Sequence, residues 1–207
     1  MERTEDFSIV GVRQQLEGSL RALRVEALDL YQFHSGSDGQ CLNEDLWAML
    51  AEQRRAGKIR HLGISVLGKG SEVQTRQART LGAEALQVIY SRLDRRAEQL
   101  YFPQARQDNL GILARVPLAC GLLSGKYGPG ATFPGNDRRS ALEAEKMRAD
   151  LVEVERIRQL EVPEGVPMAQ WALAWCLKNP AVSTVIPGCM NPTQVAANAA
   201  AAELEIG

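Results

Sequence analysis

The sequence has 207 residues, 45% of them hydrophobic and 24% charged, with a formal net charge of -1 at pH 7. That length suits one well-buried domain, read as residues 1–207, and so balanced a charge offers no field to draw nucleic acid or an anionic membrane. No apolar run approaches the roughly 20 residues of a membrane helix, and the opening MERTEDFSIV is too acidic and polar for a signal peptide, which points to the cytoplasm.

Ile9, Val12, Leu16, Leu20 and Leu23 recur at steps of three and four, which predicts an amphipathic helix running to about Arg24. The apolar run ALDLYQF at 27 to 33 reads as a buried strand ending at His34, before the turn-prone SGSDGQ. Asn43 is placed to cap the next helix, whose Leu42, Leu46, Met49 and Leu50 share a face, and Gly57 supplies its left-handed stop. The alternation continues with strand IRHLGIS at 59 to 65, a helix from about Ser71 to Leu81, strand ALQVIY at 85 to 90 and a helix from about Glu98 to Asn109. Strand ILARV at 112 to 116 is followed by a long connection, rich in glycine and proline, before helical periodicity resumes near Ser140. A helix opening at Pro167 stops before Asn179-Pro180, strand VSTVIP spans 182 to 187, and Asn191-Pro192 opens a final helix whose apolar anchors are few.

Strands and helices that alternate in this way require parallel strands joined by crossovers, so the class is α/β. Periodicity alone leaves an open sheet and a barrel both in play. In either case the functional groups belong at the carboxyl ends of the strands. The four cysteines, Cys41, Cys120, Cys176 and Cys189, form no CxxC or Cys/His cluster, so reduced thiols are expected and no metal site.

His34 stands at such a strand end, where a neutral imidazole can donate a hydrogen bond to a carbonyl or else satisfy loop backbone groups. His61, inside a strand, reads as structural. Ser65 and Gln87 lie on adjacent strands and together offer the donor and acceptor that a planar amide needs, although a Ser after a strand also serves as a cap and a strand Gln also faces solvent. The segment PLACGLLSGK supplies small residues and backbone amides for close approach to a phosphate, against a flexible crossover as the plain alternative. Arg115 before it can stack on an aromatic ring, pair with phosphate or form a surface ion pair. In IPGCMNPTQVAAN a strand, a glycine turn and an Asn-capped helix bring free amides and a positive partial charge toward an anion. Gln194 and Asn198, one turn apart on that helix, either reach a ribose or adenine edge or simply face water.

Taken together, these segments resemble the aldo-keto reductase family over nearly the whole sequence. SLRALRVEALDLYQFH is similar to the family's third helix and fourth strand, GKIRHLGIS to its fifth strand, LQVIYSRLDRR to its sixth, ARVPLACGLLSGKY to its seventh and VIPGCMNPTQVAAN to its eighth, all in the right order. The resemblance implies a partial (β/α)8 TIM barrel, the last five of eight strand-helix units, with parallel strands. It implies binding of NADP(H), with NAD(H) possible, and reduction of a small-molecule aldehyde or ketone by direct hydride transfer. His34 falls on the family's catalytic histidine, and Ser65 and Gln87 fall on the residues that hold the nicotinamide carboxamide. Arg115 occupies a place often taken by an aromatic residue beside the nicotinamide. Val116, Pro117, Leu118, Cys120, Gly121 and Leu123 match the loop that covers the pyrophosphate. Gly188, Cys189, Met190, Gln194 and Asn198 match the adenosine-phosphate site.

Two departures bear on the cofactor. Val66 stands where many members have Asn, and Met190 where an Arg commonly meets the 2′-phosphate. In the family, moreover, the catalytic Tyr, its Lys partner and the Asp precede the third helix, in segments this sequence does not contain. The expectation is therefore a truncated oxidoreductase, inactive by itself, with open sheet edges that favour self-association. The alternatives are a non-catalytic nucleotide-binding or regulatory module on the same scaffold and an independent flavodoxin-like α/β protein.

Overall fold

A computed structural model describes residues 5–67, 71–141 and 143–206. Its elements, in chain order, are α1 (Ile9–Leu23), β1 (Leu28–His34), α2 (Asp38–Cys41), α3 (Glu44–Arg55), β2 (Ile59–Ser65), α4 (Glu72–Gln77), β3 (Ala85–Ile89), α5 (Ala97–Leu100), α6 (Phe102–Gln107), β4 (Gly111–Arg115), α7 (Ala144–Leu160), α8 (Met168–Lys178), β5 (Val182–Ile186) and α9 (Pro192–Ala200). Short 3₁₀ turns cover Ala119–Ser124, Arg138–Ala141 and Ala201–Glu203. The strands follow chain order, β1-β2-β3-β4-β5, in a parallel α/β sheet. The chain divides into two compact units, one of residues 1–88 and 100–112, the other of residues 89–99 and 113–207.

In the first unit, α1 begins where the Ser8 side chain accepts a hydrogen bond from the Gly11 amide, and it ends at Arg24 in the left-handed region (φ 56°). Of the predicted stripe, Val12, Leu16 and Leu20 are buried and Ile9 is half-buried, but Leu23, in the last turn, is 63% exposed. Strands β1, β2 and β3 are in parallel register, and side chains alternate between their two faces. Phe33, Ile64 and Leu86 form one cross-strand row and are all buried. The next row, one residue on and therefore on the opposite face, is His34, Ser65 and Gln87. The expected strand bounds at 59–65 are met by β2, and Gly57 takes the positive φ (79°) expected after α3.

Three local expectations change. SGSDGQ is not only a turn, because the Ser37 side chain and Gln40 form a reciprocal cap that starts α2. The helix expected over 71–81 keeps regular bonds only through Gln77 and then relaxes into turns, closed where Ala83 donates to the Ala78 carbonyl and Gly82 adopts φ 86°. The helix expected over 98–109 breaks at Tyr101. Pro103 has no N–H for the preceding turn, and it is tolerated only because α6 starts afresh with it in the first turn.

In the second unit, Met147, Leu151, Val154 and Ile157 of α7 pack with Met168, Trp171 and Ala172 of α8. Leu122 and Leu123 from the long connection join the same core, so part of that connection is anchored by apolar burial. Tyr90 is buried. Its hydroxyl donates to Glu98 Oε1 at 2.8 Å and accepts from Asn179 Nδ2 at 3.2 Å, while Trp175 lies 5.4 Å from its ring. Burial, reinforced by the Glu98 carboxylate, pushes the Tyr90 phenol well up from its ordinary range. Proline 167 sits at the N-cap of α8, one place earlier than its sequence suggests.

Candidate functional site

The carboxyl ends of β1 and β2 and the middle of β3 deliver the row of His34, Ser65 and Gln87, each directly opposite the next. With strands about 4.8 Å apart, the row spans about 10 Å and its spacing is set by the backbone ladder alone. The ladder continues past the strand ends, where the Ser35 amide donates to the Ser65 carbonyl and the Val66 amide to the Gln87 carbonyl, each at 3.1 Å. Ser35 has φ 59°, so the chain turns away immediately after His34 and leaves the imidazole exposed.

Ser65 is 1% exposed and its hydroxyl has no hydrogen-bond partner among the described residues. Such an orphan is costly unless a bound group satisfies it, and a carboxamide fits because it can both donate and accept. The Gln87 carboxamide is half-buried, and its Oε1 accepts from Gln32 Nε2 at 3.1 Å. A cavity of about 340 Å³ lies along β1 at the edge of the sheet, lined by Phe7, Val12, Tyr31, Phe33 and Leu46 among others, and of the row only His34 reaches it. His61, read as structural, accordingly lies 2.7 Å from Glu84 through its Nδ1.

The second unit carries the remaining expected residues. Arg115 ends β4 half-buried, and the chain then enters a run of left-handed conformations at Val116 (φ 59°), Ala119 (47°), Cys120 (55°) and Gly121 (90°). Backbone strain of this kind in non-glycine residues must be offset by the surroundings. Here Pro117 is buried, the Ala119 amide bonds the Val116 carbonyl at 2.9 Å, the Gly121 amide bonds Leu118 at 2.8 Å, and Leu122 and Leu123 are sunk in the core. Leu118 is half-buried and Cys120 is exposed. Farther along the connection, Arg139 lies 4.1 Å from the Phe133 ring and 4.5 Å from that of Tyr127 while bonding Asp137 through two nitrogens. Those bonds hold the Asp137 carboxyl down at about 2.

Gly188, Cys189 and Met190 are exposed and lead into α9, where the Asn191 side chain accepts from the Gln194 amide at 2.9 Å. Gln194 returns the favour by accepting the Met190 amide at 2.7 Å, so its carbonyl oxygen serves the helix start. Asn198 is half-buried one turn on. All four cysteines are unpaired. Cys41 and Cys176 are buried, which raises both thiols to about 12, and no cluster of metal-ligating side chains occurs among the described residues. No helix among them is long and apolar enough to cross a membrane.

Sequence reasoning missed Gln32. The signal was its position two residues before His34, which puts both side chains on one face of β1.

The chain matches the family model for the aldo/keto reductase family over residues 1–207. It is 31% identical over 204 residues to the uncharacterized oxidoreductase YrpG of Bacillus subtilis (strain 168), covering 97% of this chain and 61% of that protein. It is 30% identical over 183 residues to the aldo-keto reductase yakc [NADP(+)] of Schizosaccharomyces pombe (strain 972 / ATCC 24843), covering 86% and 53%. Among solved structures it superposes on the glycerol dehydrogenase AKR11B4 from Gluconobacter oxydans with a TM-score of 0.83 at 28% identity, covering 95% of this chain and 60% of that one. The chain thus spans between half and two thirds of the length of these relatives. By the match to its full length, the chain belongs to the aldo-keto reductase family.

Proposed function

We propose that these residues form the cofactor-holding part of an NADP(H)-dependent carbonyl oxidoreductase, within one partial barrel domain of residues 1–207. The observation that carries this reading is the row of His34, Ser65 and Gln87, at whose centre the buried Ser65 hydroxyl has no partner among the described residues. Ser65 and Gln87 take the nicotinamide carboxamide, the hydroxyl and the side-chain amide supplying complementary donors and acceptors. When bound, the dinucleotide supplies the hydride that reduces an aldehyde or ketone. His34 donates a hydrogen bond to the substrate's carbonyl oxygen, orienting and polarising it. What the family resemblance adds, within the second unit, is Arg115 as a nicotinamide neighbour, the segment from Val116 to Leu123 as the pyrophosphate loop, and Gly188 to Met190 with Gln194 and Asn198 as the adenosine-phosphate residues.

With Met190 in place of a guanidinium, discrimination between NADP(H) and NAD(H) is weak, since no fixed cation at that position meets a 2′-phosphate. The resemblance also puts the proton-donating Tyr and its Lys partner in segments preceding the third helix. These 207 residues by themselves therefore bind dinucleotide without reducing a carbonyl. The reading assigns the chain to the cytoplasm and expects self-association through the outer edge of β1, where pairing is available.

Titration with NADP+ and NAD+, followed by calorimetry, tests the reading. Saturable binding of both is expected, weakened about tenfold by Ser65→Ala as one hydrogen bond is lost. Absence of binding to either nucleotide refutes it. NADPH oxidation above blank with simple aldehydes refutes the inactivity of the isolated chain.

A further inference from the structure

A hydrogen bond crosses an entire strand in the first unit. Gln32 lies on β1 and Gln87 on β3, yet Gln32 Nε2 donates to Gln87 Oε1 at 3.1 Å. The two are separated by β2, so their backbones are about 10 Å apart across the sheet before any offset along the strands is counted. Two extended carboxamide side chains can meet over that distance only if nothing rises from β2 between them. The residue of β2 directly opposite Gln32 is Gly63. A Cβ there would lie 3.2 Å from Gln32 Cγ and 3.0 Å from the Ala85 carbonyl oxygen. Gly63 therefore leaves open the space over which the glutamine bridge passes, and a Cβ there would also crowd Leu30 Cδ1 at 3.2 Å.

We propose that Gln32 is a positioning residue, which by bridging over Gly63 locks the Gln87 carboxamide in the rotamer and amide orientation that face the ligand carboxamide. The inference rests on the reading given under Proposed function. Gln32 spends a donor on Gln87 Oε1, so the Gln87 amide plane is fixed. One oxygen lone pair and the two Nε2 hydrogens of Gln87 remain for a ligand. Unlocked, Gln87 has to give up rotamer and flip freedom when a ligand binds, a cost that the bridge removes in advance. Gln32 Oε1 is itself buried with no partner among the described residues, so the side chain is held by its donor side.

The test uses the full chain with Gln32→Leu, which keeps the volume but cannot donate, and Gln32→Glu, whose carboxylate can only accept. Binding of NADP+ is compared with binding of 2′,5′-ADP, which lacks the nicotinamide. Gln32→Leu is expected to weaken NADP+ about tenfold while 2′,5′-ADP is unchanged, and Gln32→Glu is expected to turn Gln87 so that its Nε2 donates to residue 32. Crystal structures of the ligand-free variants read the Gln87 orientation directly. If Gln32→Leu leaves NADP+ affinity unaltered, or weakens NADP+ and 2′,5′-ADP equally, the positioning role is overturned while the cofactor reading stands. If the wild-type chain binds no dinucleotide, the cofactor reading fails, and with it the ligand-facing role of Gln32. An undisturbed Gln87 in both variant crystals overturns the lock itself.

Discussion

The two units solve the same problem in different ways. In the first, His34, Ser65 and Gln87 are held by the parallel ladder, where the register of three strands sets the spacing and the side chains need only project from one face. In the second, the candidate phosphate segment is held by left-handed backbone at Val116, Ala119, Cys120 and Gly121, stabilised by a few short-range amide bonds and by Leu122 and Leu123 in the core. The contrast teaches that a strand-borne group is placed by many cooperative hydrogen bonds, whereas a loop-borne group depends on a few anchors. Damage should accordingly be spread out in the first unit and concentrated in the second.

The strongest test of that asymmetry is Leu123→Ala. Truncating this fully buried anchor is expected to destabilise the chain by about 2–5 kcal/mol, read from urea unfolding, and to weaken NADP+ more than the stability loss alone explains. A cost near that of an exposed leucine would show that the loop is held by something other than the core.

A smaller effect is expected at the start of α9. Asn191→Ala removes the side chain that accepts the Gln194 amide and should cost about 1 kcal/mol, with Asn191→Asp nearly neutral, because either side-chain oxygen caps the helix. Equal losses for both variants would exclude the capping bond as the cause.

The smallest effect concerns acid. The Asp137 carboxyl is held down to about 2 from an ordinary 3.8, chiefly by its hydrogen bond with Arg139. A lowered folded-state value means that the pair's contribution is fully present above the unfolded value near 3.8 and is lost as pH falls through about 2. Carboxyl NMR should place the Asp137 midpoint near the lower value, and Arg139→Gln should return it toward the ordinary one. Because the pair joins residues only two apart in one connection and ties no distant segments together, little global stability is expected to follow it. A midpoint that Arg139→Gln leaves in place would remove Arg139 as the cause.

Much of this architecture is legible in residue order. The stripe from Val12 to Leu20, the strand IRHLGIS and the stop at Asn179-Pro180 follow from periodicity and from proline's missing donor, all local properties. The site was legible in part. The pairing of Ser65 with Gln87 follows from their places on successive strands, but an orphaned hydroxyl is invisible until burial is known. Gln32 escaped notice because its role depends on a partner 55 residues away and on a glycine between them.

What the sequence determined by itself is therefore the alternation of strands and helices, the family resemblance, and the residue types offered at each strand end. These reside in short-range spacing and in chemistry that each residue carries wherever it sits. Tertiary structure alone decided the register that sets His34, Ser65 and Gln87 in one row, the open space above Gly63, and the burial that leaves the Ser65 hydroxyl without a partner among the described residues. A one-residue slip of register turns each of those side chains to the opposite face, and it is opposed by the packing of the buried row Phe33, Ile64 and Leu86.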